Sequence, residues 1–136
     1  MVTHEGAAEN LLAAAEAILG RLPGVVGVGV PTGLPFDEIV KRLAVACEQV
    51  DLGAGVLLLV DLHGSSPFHA AMSLLDGTRP AEVLCGVNLP MLIKMSTVDR
   101  SETAPAGLAE ILRDIGRRSI RLGSELTGKV AVEEKR

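Results

Sequence analysis

Two side chains of this sequence could carry out the transfer of a chemical group. His4 follows the short β-like stretch Met1-Val2-Thr3 and precedes a helix-forming segment. Neutral imidazole is a good nucleophile, and the amide groups at a helix start favour an incoming anion. Asp61 follows the apolar run Val56–Val60, where its carboxylate could accept a hydrogen bond from a histidine ring and fix the tautomer. Each residue also has an ordinary alternative, namely a surface histidine near the terminus and a solvated turn or capping aspartate.

The turn Ser65-Ser66-Pro67 offers the hydroxyl groups and free amides that bind a phosphate. The same residues also serve as plain helix capping, with Ser66 as the N-cap and Pro67 as the first helical residue. His63 and His69 flank this turn, but their spacing matches no metal-binding motif. We therefore predict a phosphate-binding turn or a simple cap, and no metal site.

The pattern of apolar residues predicts strands that alternate with helices. The predicted strands cover residues 1–3, 25–30, 56–60 and 82–87, and the predicted helices cover 5–20, 36–51, 66–77, a short segment from 89, and 105–122. This order indicates an α/β fold with a mostly parallel central sheet and helices on both faces. In such sheets the chemistry lies at the carboxyl ends of the strands, where His4, Asp61 and Asn88 fall.

The chain is predicted to form a single domain over residues 1–136, with a core at 2–122 and a tail at 123–136. Within the tail, Lys129–Val132 alternates like a strand and could add a short antiparallel edge to a sheet. That sheet could be its own or that of a second copy, and pairing with a second copy would produce a homodimer.

Composition excludes several classes of function. The chain has two aromatic residues and a formal net charge of −4, which argues against a nucleic-acid partner. Its longest aliphatic run, Val56–Val60, is too short to insert into a membrane, and no secretory signal is visible. Cys47 and Cys85 lie in apolar contexts, as expected for reduced core residues of a cytoplasmic protein.

Three segments together resemble the mannose-type EIIA domain of the phosphoenolpyruvate-dependent sugar phosphotransferase system (PTS). Val2–Gly20, with its histidine at position 4, is similar to that family's active-histidine segment. Gly55–Phe68 resembles its second motif, and Gly86–Leu92 resembles its distinctive third motif. The segments follow one another in the family's order and spacing, so the resemblance covers roughly residues 2–122.

The resemblance implies a phosphotransferase that works as a phosphocarrier and needs no cofactor. In that family the motif histidine takes a phosphoryl group from the small carrier HPr and passes it to a histidine of an EIIB domain. On this chain the resemblance makes His4 the phosphorylated residue and Asp61 its orienting carboxylate, with Ser66 in contact with the phosphoryl group. The chemistry of the turn adds Ser65 as a second predicted phosphate-binding residue. It also implies a homodimer that exchanges a terminal strand.

The chain departs from the family pattern close to the predicted site. Glu5 and Ser65 stand where the family usually has Gly, His69 replaces a typical Asn, and the first strand is shorter. We expect the charge of Glu5 to repel the phosphohistidine of the donor. Two other functions stay open: the phosphotransfer subunit of a dihydroxyacetone kinase, which the second and third motifs count against, and a binding module in which these departures silence His4.

Overall fold

The structure of the protein is a computed structural model that describes residues 1–128, and its strands form one parallel sheet. The strands are β1 (Val2–His4), β2 (Val28–Val30), β3 (Val56–Val60) and β4 (Ala81–Cys85). They lie in the order β2-β1-β3-β4, and each neighbouring pair is parallel. The predicted α/β fold with a parallel sheet is confirmed.

Helices follow the strands in the predicted order. They are α1 (Ala7–Leu19), α2 (Phe36–Val50), α3 (Ser66–Ser73), α4 (Leu89–Met95), α5 (Pro105–Arg118) and α6 (Gly123–Thr127). Proline occupies one of the first two positions of α3, α4 and α5, where its missing N–H is not needed. The short helix α6 was not predicted, because its five residues are too few to show a helical period.

Both faces of the sheet are covered, as the apolar run in β3 predicts. Val56, Leu58 and Val60 pack into one core with buried residues of α2 and α3. Leu59 packs into a second core with buried residues of α1, α4 and α5. Since burying a leucine or valine side chain stabilises the fold by roughly 1.5–3 kcal/mol, these two cores hold the strands in place.

Several element ends differ from the prediction because the chain tightens or turns there. The third helix ends at Ser73 and not at 77, since the N–H groups of Leu74 and Leu75 bond three residues back instead of four. The fourth strand ends at Cys85, because Gly86 has a φ of +83° and leaves the β region. The second strand begins at Val28 and not at 25, and the helix α5 ends at Arg118 and not at 122.

Some large apolar side chains of the helices are exposed. Ile18 is 65% exposed and Phe36 is 50% exposed. They lie in the last turn of α1 and the first turn of α2. Ile111 of α5 is also exposed, while Leu108 and Leu112 of the same helix are buried.

The predicted tail strand at Lys129–Val132 lies outside the described residues. Over residues 1–128, β4 is an edge of the sheet with no strand on its outer side. No helix in this part of the chain is both long and apolar enough to cross a membrane.

Candidate active site

The structure brings His4 and Asp61 together at the carboxyl edge of the sheet. β1 and β3 are neighbours, and His4 at the end of β1 lies beside Asp61, which directly follows β3. The backbone N–H of His4 donates to Asp61 Oδ2 at 2.9 Å, and His4 Nδ1 lies 2.8 Å from the same oxygen. The His4 side chain is 50% exposed and the Asp61 side chain 24%.

The contact with Asp61 determines which ring nitrogen of His4 is available. An ionised carboxylate only accepts hydrogen bonds, so Nδ1 must carry the proton that lies between them. The lone pair of the neutral ring is then at Nε2, which has no hydrogen-bond partner within residues 1–128. His4 therefore presents a nucleophilic nitrogen on a half-exposed ring.

The carboxylate of Asp61 is ionised at neutral pH. Burial works to raise the pKa of Asp61, but the hydrogen bonds from the backbone and ring of His4, with the charge interaction with His4, outweigh it and lower the pKa. The second oxygen, Oδ1, is buried and has no partner among the described residues.

Ser65, and not Ser66, is the N-cap of α3, which corrects the predicted capping. The Ser65 hydroxyl accepts from the N–H of Phe68 at 3.3 Å and donates to the carbonyl of Leu62 at 2.7 Å. Ser66 is exposed, and its hydroxyl makes no hydrogen bond within residues 1–128. Since Pro67 has no N–H, the amide left free at this helix start is that of Ser66. Ser65 thus shapes the turn, while Ser66 has its donors available.

The turn after His4 contains the one non-glycine residue with a positive φ among those described. Glu5 has a φ of +40°, a left-handed conformation that costs an L-residue about 1–2 kcal/mol. Its carboxylate Oε1 accepts from the Thr32 N–H at 2.9 Å and the Thr32 hydroxyl at 2.7 Å. These two hydrogen bonds are the main reason that the pKa of Glu5 is lowered.

Thr32 and Thr3, which the sequence did not indicate as site residues, both support this turn. Thr32 comes two residues after β2, so the rule that points to His4 and Asp61 at strand ends could have found it. The Thr3 side chain is only 1% exposed, and its hydroxyl accepts from the N–H of Ala8 at 2.7 Å. It thereby caps α1, whose N-cap position holds Gly6 with no side chain to do so.

Other predicted candidates lie at the same edge but take different roles. Asn88 caps α4 by accepting from Met91 N–H at 3.2 Å, and its amide nitrogen donates to the carbonyl of Gly116 at 3.2 Å. His63 and His69 lie against the ring of Phe68 with centroids 4.9 and 5.2 Å away. Within residues 1–128 no group of three metal-ligating side chains is placed to hold a metal ion.

Comparison with known proteins gives consistent matches over most of the chain. The family EIIA-man, described as the PTS system fructose IIA component, matches residues 1–112. The PTS system mannose-specific EIIAB component of Escherichia coli is 31% identical over 119 residues, which cover 88% of this chain and 37% of that protein. The PTS system fructose-specific EIIA component of Bacillus subtilis is 33% identical over 113 residues, covering 83% of this chain and 77% of that protein.

The fold agrees with these matches. The mannose/sorbose-specific IIA subunit of Enterococcus faecalis superposes with a TM-score of 0.75 at 26% identity, covering 99% of this chain and 95% of the other. The chain spans about a third of the length of the E. coli relative. The family match covers 112 of 136 residues, and it includes both strand ends that carry His4 and Asp61. The chain therefore belongs to the EIIA-man family of phosphotransferase-system IIA components.

Proposed function

We propose that the protein is a phosphocarrier of a sugar phosphotransferase system. His4 takes a phosphoryl group from an HPr-type carrier and passes it to a histidine of an EIIB-type partner. The observation that carries the proposal is the pairing of His4 Nδ1 with Asp61 at 2.8 Å, which leaves Nε2 free on a half-exposed ring. Family membership supports a role in phosphoryl transfer.

In the transfer step, Nε2 of His4 forms a bond to phosphorus as the phosphorus–nitrogen bond of the donor breaks. The electron pair of the broken bond stays on the donor ring, and the proton of His4 stays at Nδ1. Positive charge develops on the His4 ring as Nε2 gives up its lone pair, and the carboxylate of Asp61 stabilises that charge. Because phosphoryl transfer depends mainly on positioning and charge, the protein needs no further covalent chemistry.

We assign the bound phosphoryl oxygens to Ser66. Its hydroxyl and amide have no partner within residues 1–128, and it is the first residue of α3, where the helix dipole favours negative charge. Ser65 contributes through the shape of the turn, since its own hydroxyl is already bonded on both sides.

The test is whether the chain gains phosphate from phosphoenolpyruvate, enzyme I and HPr. We expect one phosphate per chain that is stable in base and labile in acid, as phosphohistidine is, and that leaves when a purified EIIB domain is added. The E. faecalis mannose/sorbose IIA subunit in a parallel reaction shows that the cascade is active. No label on this chain, with the parallel reaction labelled, would refute the function.

We further propose a cytoplasmic homodimer built partly from the C-terminal tail. β4 is an open edge within residues 1–128, and three exposed apolar side chains lead towards the tail: Ile120, Leu122 and Leu126 at 80%, 64% and 59%. A tail strand that pairs with the β4 edge of a second copy would cover that edge and these apolar side chains.

Light scattering should give a dimer for the full chain and a monomer for a chain that stops after Leu122. A full-length monomer at micromolar concentration contradicts the dimer, and a dimer that survives truncation contradicts the role of the tail.

A further inference from the structure

Glu5 stands directly after the proposed phosphoacceptor in a backbone conformation that suits glycine. A residue is held in such a conformation only where its surroundings determine it, and these positions concentrate at functional sites. The φ of +40° lets the chain leave β1 at His4 and begin α1 only three residues later. A glycine would make the same turn without strain, but it would lack the side-chain contacts that Glu5 makes.

The side chain of Glu5 fastens this turn to the end of β2. Its Oε1 accepts from the amide of Thr32 at 2.9 Å and from the hydroxyl of Thr32 at 2.7 Å. Its backbone N–H donates to the carbonyl of Val30 at 2.9 Å. Three hydrogen bonds therefore tie one exposed residue to the three-residue segment 30–32.

Two further features bring the turn and β2 close together. The N–H of Gly29 donates to Glu9 Oε1 at 2.8 Å, which joins α1 to the same strand. A Cβ at Gly29 would collide with the carbonyl oxygen of Glu5, so glycine is required there for this approach. His4 is consequently held from two sides, by Asp61 after β3 and through Glu5 by the end of β2.

We propose that Glu5 is a positioning residue for phosphoryl transfer, and that its hydrogen bonds to Thr32 keep the His4 ring aligned with Asp61. The proposal rests on the proposed function of His4. Charge alone predicts that removing the Glu5 side chain speeds transfer from HPr, because the donor is no longer repelled. We expect slower transfer instead, because the loss of alignment outweighs the relief of repulsion.

Four variants separate alignment from charge. Glu5→Gln removes the charge but keeps an oxygen that accepts from Thr32, so we expect transfer from HPr within about twofold of wild type. Glu5→Ala removes the acceptor, and we expect transfer about tenfold slower, since a small misplacement of a reacting group is costly. Thr32→Val keeps the charge of Glu5 and the backbone hydrogen bond but removes the hydroxyl, so it should slow transfer less than Glu5→Ala does. Glu48→Gln is the control, because Glu48 is exposed in the second half of α2 and makes no hydrogen bond or ion pair within residues 1–128.

The ¹⁵N chemical shifts of the His4 ring give a readout that does not require transfer. We expect the Nδ1–H tautomer to dominate in wild type and Glu5→Gln, and to lose population in Glu5→Ala. Faster transfer in Glu5→Gln and Glu5→Ala alike, with a gain that shrinks at high salt, would overturn the proposal in favour of charge repulsion. An unchanged tautomer in a folded Glu5→Ala protein would also overturn it.

Failure of the proposed function has a different signature. In that case wild-type protein takes up no phosphate from the active cascade, whatever residue stands at position 5. The tautomer measurement still decides whether Glu5 positions the ring of His4.

Discussion

His4→Ala is expected to abolish the gain of phosphate from HPr, whereas His63→Ala and His69→Ala proteins should be labelled as well as wild type. Of the three histidines, His4 is the one whose ring nitrogen faces a carboxylate within residues 1–128. The rings of His63 and His69 lie edge-on to Phe68, and within residues 1–128 neither ring has a hydrogen bond or ion pair with a charged group. The measurement is the mass of the intact protein after reaction, with one added phosphate per chain as the signal.

The His4→Ala protein should remain folded, which makes the loss of label interpretable. The lost side-chain contact with Asp61 is half exposed, so we expect the free energy of unfolding to fall by no more than about 1 kcal/mol. His4→Gln, which keeps a polar side chain of similar length, should be equally inactive. Label that persists in a folded His4→Ala protein and disappears in His63→Ala or His69→Ala would move the phosphoacceptor to that other histidine.

The sequence predicted that His4 and Asp61 lie at one edge of the sheet, and the family resemblance added that they pair. The apolar run Val56–Val60 indicates a strand buried on both faces, and such strands belong to parallel sheets. Parallel strands end at one edge, so the residues after β1 and β3 had to lie at the same edge. The structure places His4 and Asp61 within hydrogen-bonding distance there.

The sequence did not predict which side chains complete the site, because those contacts join loops that are distant in sequence. Glu5 and Thr32 are 27 residues apart, and no periodicity relates them. The N-cap of α3 is Ser65 and not the predicted Ser66, because two serines before a proline offer two possible cap positions. Which register forms depends on the carbonyl of Leu62, and that position is known only from the folded turn.

Asp61→Asn is expected to slow phosphoryl transfer to His4 by about a hundredfold while leaving the fold intact. Two donors point at Asp61 Oδ2, the backbone N–H and the ring Nδ1–H of His4, and neither can be satisfied by an amide NH₂. If the asparagine places its oxygen there, His4 keeps its tautomer, but the neutral amide oxygen stabilises the positive charge of the ring less than a carboxylate does, and the NH₂ takes the buried position of Oδ1. If it places its NH₂ there, His4 must accept at Nδ1, and the proton moves to Nε2, where it blocks the nucleophile.

The size of the Asp61→Asn effect follows from two opposing terms. Replacing the orienting carboxylate of a serine-protease triad costs about 10⁴-fold through the same loss of the correct tautomer. Here the incoming phosphoryl group is itself anionic, so the carboxylate also opposes its approach, and removing it recovers part of the rate. We therefore expect a smaller loss of about a hundredfold in rate, which corresponds to about 3 kcal/mol of transition-state stabilisation.

The pH dependence of stability gives a second measurement on the same variant. The pKa of Asp61 is lower in the folded protein than the roughly 3.9 of an unfolded chain. The ionised carboxylate therefore stabilises the fold above that value, and this contribution disappears as the pH falls through the folded pKa. We expect the difference in unfolding free energy between wild type and Asp61→Asn to be full at pH 7 and to shrink below about pH 4.

Asp51→Asn is the matched control for loss of a hydrogen-bonded carboxylate. Asp51 accepts from the amides of Gly53 and Gly55 and pairs with Arg79, and its pKa is also lowered, chiefly by those two amides. It lies just before β3, at the amino end of the strand, whereas Asp61 lies just after it. Asp51→Asn should therefore lose stability but transfer phosphate at the wild-type rate. Equal slowing in Asp51→Asn and Asp61→Asn would show that the transfer rate depends on the stability of the fold. An unchanged rate in a folded Asp61→Asn protein would show that Asp61 does not orient the ring of His4.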